Sequence, residues 1–204
     1  MPQPCASLVN LIFPAAGYIA GAIPFSYLAA RHFSGKDVRQ EGSGNVGATN
    51  VFRVAGRAAG VAAAIGDVLK SLVPVIAARL AGASPAWQAA TAAAVVLGHC
   101  YSPFLRFAGG KGVTSAVSVA LVLCWPAALA FGAAWLALFF WFGYVSLASI
   151  AGAIALPVAA AAAGADRAVV AFLALLAGFI VFKHRANLRR LAAGSESRMR
   201  GSRG

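Results

Sequence analysis

Residues 112–165 contain no charged side chain, a run of 54 positions in a chain of 204. A helix needs about 20 apolar residues to cross the hydrocarbon core of a membrane. The run therefore holds two or three crossings, and a water-soluble chain of this size would not bury so much uncharged sequence. Residues 7–30 and 80–105 are uncharged as well. In hydrocarbon every backbone polar group must be satisfied inside the protein, and a helix does this within its own segment. The sequence reads as an all-α, polytopic integral membrane protein. Composition agrees, at 61% hydrophobic and 11% charged.

Seven transmembrane helices are expected, at residues 7–30, 58–80, 85–105, 112–124, 126–144, 147–163 and 168–183. Trp125-Pro126 divides one apolar run, because proline cannot continue a hydrogen-bond ladder and tryptophan favours interfaces. Ala165-Asp166-Arg167 divides another. The fourth segment is short enough to be a re-entrant or half-length helix. The first lacks a small-x-small cleavage site and a positive flank before it, so it is expected to stay in the protein rather than leave as a signal peptide. Arg31, Lys36, Arg39, Arg53, Arg57, Arg106, Lys111 and the basic tail, residues 184–204, fall on one side; Arg79 and Arg167 stand nearly alone on the other. The positive-inside bias then puts the N-terminus outside, and the C-terminus and polar loops in the cytoplasm. Residues 1–204 form a single membrane domain in this reading.

The net charge of +12 is accounted for by topology and by attraction of juxtamembrane cations, among them Arg189, Arg190, Arg198, Arg200 and Arg203, to anionic lipid headgroups. Nucleic acid is not an expected partner, since the basic residues are not interleaved with aromatics on a soluble domain. Cys5, Cys100 and Cys124 have no CxxC spacing and read as small hydrophobes, with no metal site or disulfide framework.

Polar chemistry is concentrated in a few strings. Gly42-Ser43-Gly44-Asn45-Val46-Gly47-Ala48-Thr49-Asn50-Val51-Phe52-Arg53 joins three glycines, hydroxyls, amides and an arginine. Glycines let a backbone present N–H groups to an anion, and a guanidinium fork fits phosphate. A second string runs from Gly98-His99 to Gly109-Gly110-Lys111-Gly112. Its turn aims N–H groups, a helix N-terminus and an ammonium at one point. It is not a Walker A loop, because no glycine stands five residues before Gly110 and Gly112 occupies the Ser/Thr position. His99 beside it is either a packed histidine or an acid–base group. Asp67 and Lys70, three residues apart on one helix face, pair with each other or brace the loops from below. Ser146 and Ser149 follow Tyr144, and His184 and Asn187 lie one turn apart after the last segment.

Taken in order, Gly-Ser-Gly-Asn-x-Gly-Ala-Thr-Asn-x-x-Arg, Asp-x-x-Lys, Gly-His…Phe-x-Gly-Gly-Lys-Gly-Val, Tyr-Val-Ser-Leu-Ala-Ser and His-Arg-x-Asn-x-x-Arg-Leu resemble the bacterial acyl-phosphate-dependent glycerol-3-phosphate acyltransferases, the PlsY family, over about residues 8–196. The resemblance implies a multi-pass enzyme of the bacterial inner membrane whose active site faces the cytoplasm. It would transfer a fatty acyl group from acyl phosphate to the 1-hydroxyl of glycerol 3-phosphate, releasing lysophosphatidic acid and inorganic phosphate, the first step of phospholipid synthesis. It implies catalytic roles for Ser43, Arg53, His99 and Lys111 and substrate-binding roles for Ser149, His184 and Asn187; the anion-binding reading of the two glycine strings adds Gly44, Asn45, Gly47, Thr49, Asn50, Gly109 and Gly110 as substrate-binding candidates. Asp67 and Lys70 give structural support. No cofactor or metal is called for, the partners are the two substrates and membrane lipids, and a monomer is expected. The chain departs from the family pattern at Ser71 for a glycine, at Ala186 for a glutamate and at Pro103, displaced by one. Two phosphates of about −2 charge held about 5 Å apart repel by about 13 kcal/mol at an effective dielectric near 20, which calls for the cations and donors these strings supply. His99, His184 or the donor's own phosphate would take the hydroxyl proton. The alternative reading is a small organic-anion or phosphate-ester transporter using the same loops as a phosphate site.

Overall fold

The first apolar segment is two helices, not one. In a computed structural model, which describes residues 10–199, α1 (Ile12–Ala22) stops short of Pro24 and α2 (Phe25–Ser34) begins just after it. Proline offers no N–H to continue the ladder, so carbonyls at the break need donors from elsewhere. Ser102 Oγ donates to the Ala22 carbonyl at 2.6 Å and Lys70 Nζ to the Ile23 carbonyl at 2.8 Å. A broken helix at membrane depth is tolerable because neighbours satisfy it in this way. Cys5, the start of the first predicted span, Arg200 and Arg203 lie outside the described residues.

Every regular element among the described residues is a helix. After α2 come α3 (Ala48–Leu80), α4 (Pro85–Cys100), a 3-10 turn (Pro103–Leu105), α5 (Val113–Leu123), α6 (Trp125–Phe142), α7 (Val145–Ala162), α8 (Arg167–Lys183) and α9 (Arg185–Ala192). All seven expected segments are helical, with shifted ends. The third stops at Cys100 rather than residue 105, because Pro103 opens a separate turn. α3 starts ten residues before the predicted position, but Gly56, at φ 86 and ψ −179, breaks it. Residues 48–55 are thus a short helix of their own, where the sequence suggested loop. Among the described residues four segments suit a membrane crossing by length and apolarity: residues 12–34, α3, α6 and α7, with a fifth if α8 and α9 count together across their 56° bend. α4 has 16 residues and α5 has 11, or about 24 and 16 Å at 1.5 Å per residue, against a core of about 30 Å.

The chain divides into two compact units, Met1–Val122 and Leu123–Gly204. In the first, α1 packs on α4 and α2 on α3, while α3 also meets α1 and α4. The α1–α4 approach requires glycine. A methyl at Gly21 would strike the Val95 carbonyl oxygen, and one at Gly98 the Tyr18 carbonyl oxygen. α3 is patterned for lipid: Ile65, Leu69, Val73 and Leu80 are exposed, while Ala63, Gly66, Asp67, Lys70 and Ser71 are buried. Small residues let backbones approach, and polar ones are kept from hydrocarbon. In the second unit α7 packs on α6 and α8, and α9 touches α7 and α8. Gly143, at φ 77, ends α6, and the Asp166 carboxylate caps α8 by accepting the Ala168 N–H at 2.8 Å.

Candidate functional site

The first glycine string is half loop and half helix. Its loop is pinned by Val38 and Val46, buried with Ala30, Val51, Ala59, Ala63 and Leu105. Asn50, 1% exposed, braces the turn from within. Its Oδ1 accepts the Ser43 N–H at 3.0 Å, and its Nδ2 donates to the Val38 and Glu41 carbonyls, each at 3.0 Å. Both ends of this amide are thereby committed to the loop, where sequence had placed Asn50 against substrate. Ser43 and Gly44 are left exposed, and Asn45, Gly47 and Thr49 half-buried.

Arg53 is exposed and makes no ion pair with any carboxylate among the described residues. Arg39 differs. Its Nε and Nη2 clamp both oxygens of Asp37, at 2.9 and 2.7 Å. That hydrogen-bonded guanidinium holds the Asp37 carboxyl down at about 2. The charge of Arg39 is neutralised locally; that of Arg53 is available to an anion.

The second string folds back on itself. After the 3-10 turn, Arg106 and Phe107 adopt left-handed φ of 52 and 62, an uncommon conformation for non-glycine residues. The chain then runs back so that Phe107, Gly109 and Gly110 N–H groups donate to the Ser102, Cys100 and His99 carbonyls, at 2.8, 3.2 and 3.2 Å. The N–H groups of Gly109 and Gly110 therefore close the loop, where sequence had them aimed at phosphate. Lys111 follows, half-buried, and α5 begins two residues later.

His99 is 7% exposed and lies beneath this turn. Its Nδ1 is 3.7 Å from Asp67 Oδ1, too long for a hydrogen bond. Asp67 is 1% exposed. It pairs with Lys70 at 2.8 Å and accepts Ser26 Oγ at 2.8 Å. The sequence pairing of Asp67 with Lys70 is thus present. Ser71, one of the departures from the family pattern, is absorbed locally: its hydroxyl donates to the Asp67 carbonyl at 2.7 Å.

In the second unit the conspicuous residue is one that sequence reasoning passed over. Glu196 Oε1 accepts Ser146 Oγ at 2.7 Å and Asn187 Nδ2 at 2.6 Å, and its Oε2 accepts Arg190 Nε at 2.7 Å. Burial alone would raise its pKa, but the donors of Asn187, Ser146 and Arg190 outweigh it and hold the carboxyl below the ordinary range. The signal was available: a single acid follows a string of arginines and needs a cationic partner. Ala186 is exposed, and Glu196 puts a carboxylate beside Asn187. Ser149 is buried; its hydroxyl donates to the Val145 carbonyl at 2.7 Å and lies 3.3 Å from Trp135 Nε1. His184, 3% exposed, has Nδ1 at 2.8 Å from the Ile180 carbonyl. A carbonyl only accepts, so Nδ1 carries the proton and a neutral ring has its lone pair on Nε2.

A family model described as glycerol-3-phosphate acyltransferase matches residues 11–194. The chain belongs to the glycerol-3-phosphate acyltransferase family. It is 44% identical to a glycerol-3-phosphate acyltransferase of Geobacter sulfurreducens over 193 residues, 95% of this chain and 99% of that protein. It is 43% identical to another from Desulforudis audaxviator, over 95% of this chain and 97% of that one. Among solved structures it resembles the crystal structure of PlsY, an integral membrane glycerol 3-phosphate acyltransferase. The glycerol 3-phosphate form superposes with TM-score 0.88 at 38% identity, covering 94% of this chain and 96% of PlsY. The lysophosphatidic acid form gives 0.85 at 37%, over 93% and 95%. As a family member the chain is an integral membrane acyltransferase of glycerol 3-phosphate, and the transporter reading is not favoured.

Proposed function

We propose that the protein transfers a fatty acyl group from acyl phosphate to the 1-hydroxyl of glycerol 3-phosphate, giving lysophosphatidic acid and inorganic phosphate. The observation that carries this reading is Arg53, an exposed guanidinium with no carboxylate partner among the described residues, presented by the short helix that follows a built glycine loop. A bidentate fork there suits a phosphate ester. Ser43, Gly44, Asn45, Gly47 and Thr49 of the same loop contribute donors, and Lys111 supplies a point charge for the phosphate that develops on the departing side. In the second unit Ser149, His184 and Asn187 take the substrate-binding roles implied by the family.

Acyl phosphate is already activated, so the protein's task is to bind two anions, orient the hydroxyl, and stabilise the carbonyl oxyanion and the departing phosphate. The hydroxyl proton goes to a histidine or to the donor's own phosphate. The chain acts as a monomer with seven crossings, N-terminus outside, in the bacterial inner membrane, its polar loops in the cytoplasm. Purified protein in detergent should release phosphate only when acyl phosphate and glycerol 3-phosphate are both present, and should be indifferent to a chelator. Product from acyl-CoA alone, or loss of activity on chelation, would overturn the donor assignment.

A further inference from the structure

Five buried polar residues of the first unit, Ser26, Asp67, Lys70, His99 and Ser102, line one small cavity of about 10 Å³ together with Gly110. Most of them are explained by the break at Pro24. Lys70 and Ser102 satisfy the carbonyls of Ile23 and Ala22, and Ser26 bonds Asp67 across to α3. His99 has no part in that repair. Its Nδ1 side faces Asp67 Oδ1 at 3.7 Å, an electrostatic contact and not a hydrogen bond. Its Nε2 side abuts the second glycine loop, where a methyl at Gly110 would run into His99 Nε2; the same methyl would lie 2.8 Å from the Val46 carbonyl oxygen, so Gly110 is where the two glycine loops meet. The His99 backbone carbonyl also accepts the Gly110 N–H, at 3.2 Å.

We propose that His99 is a positioning residue, a strut between the buried Asp67 carboxylate and the Gly110 backbone, that fixes the lysine-bearing turn where it meets the first glycine loop at Val46. The ring lies between Asp67 and the Gly110 backbone, so it sets how the lysine-bearing turn sits, and in this assignment it does not take the substrate's proton. The inference rests on the loops being the phosphate site, and it leaves the hydroxyl proton to a group other than His99. A strut acts on ground-state binding as well as turnover, because it places the groups that grip the anion. A general base acts on turnover and on its pH dependence.

The test compares His99→Gln, Asp67→Asn, the double variant and Ser26→Ala as purified detergent-solubilised protein, each first checked for monodispersity. Steady-state kinetics from pH 5.5 to 9 are paired with calorimetric titration of glycerol 3-phosphate, which needs no turnover. His99→Gln and Asp67→Asn should each weaken glycerol 3-phosphate binding and raise its KM about tenfold, with the acidic limb of the kcat profile unchanged. The double variant should be no worse than the poorer single one, since both cut the same strut. Ser26→Ala, which loses a bond to Asp67 Oδ2 and leaves in place the Oδ1 that faces His99, should leave binding and KM at wild-type values. The strut is overturned if His99→Gln binds normally but loses kcat 100-fold or more together with the acidic limb. It is equally overturned if Ser26→Ala weakens binding as much as the other two, which would make the cluster a matter of general integrity. A wild-type protein that binds glycerol 3-phosphate but does not use acyl phosphate would sink the donor reading and leave the strut to stand or fall on calorimetry.

Discussion

Arg53 and Glu196 are the residues on which most depends, for opposite reasons. Arg53 is available to an anion, and its planar fork matters more than its charge. Arg53→Lys should therefore lower kcat/KM for glycerol 3-phosphate about 10- to 100-fold; a variant within twofold of wild type would mean that Arg53 does not grip phosphate through two bonds. Glu196 is fully engaged, holding Ser146, Asn187 and Arg190. Its folded pKa lies below the ordinary one, so its stabilisation is complete above the ordinary glutamate pKa and is lost as pH falls through the folded value. Glu196→Gln should be less stable at neutral pH and should lose less stability on acidification, read by thermal unfolding across pH. Parallel curves for the two proteins would show that the carboxylate contributes nothing through its charge. Glu196 was missed in the sequence because its partners lie 6, 9 and 50 positions away and the string around it passes for a positive flank. Asn50 was noticed but given to substrate, since no spacing tells an amide that binds a ligand from one that closes its own turn.

The elements were legible where hydropathy alone decides them, and illegible where a break is repaired at long range. Gly143 and Asp166 stop and start helices by local chemistry, and those boundaries fall within two residues of the expected ones. Pro24 was read through as part of one span. The donors that make its break tolerable, Lys70 and Ser102, lie 47 and 80 positions beyond the carbonyls they serve. Gly56 escaped for a related reason, since a single glycine in an alanine-rich run carries no sign that φ turns positive there. The repair predicts its own test. Lys70→Met leaves Asp67 buried beside an unsatisfied Ile23 carbonyl and should destabilise by on the order of 3 kcal/mol, about 6–12 °C in apparent Tm. Adding Asp67→Asn should restore part of the loss, because the uncompensated charge is then gone. A Lys70→Met protein as stable as wild type would mean that the break needs no donor from α3.

At the scale of the whole molecule, the class followed from one uncharged run, and the family from five short strings that the family match over residues 11–194 bears out. Sidedness rests on charge asymmetry. In a cysteine-free background, single cysteines at Ser43, Ala108 and Ser195 should be labelled only by reagents that reach the cytoplasm; labelling of Ser43 from outside intact cells would invert the arrangement. The central claim, that the cationic glycine loops join two phosphate compounds and do not pass one across the membrane, is tested most directly in proteoliposomes supplied with labelled glycerol 3-phosphate and acyl phosphate. The label should appear in lysophosphatidic acid within the bilayer, one equivalent for each phosphate released, and both should vanish when acyl phosphate is withheld. Unmodified glycerol 3-phosphate accumulating inside the vesicles, with no lipid product, would contradict the account.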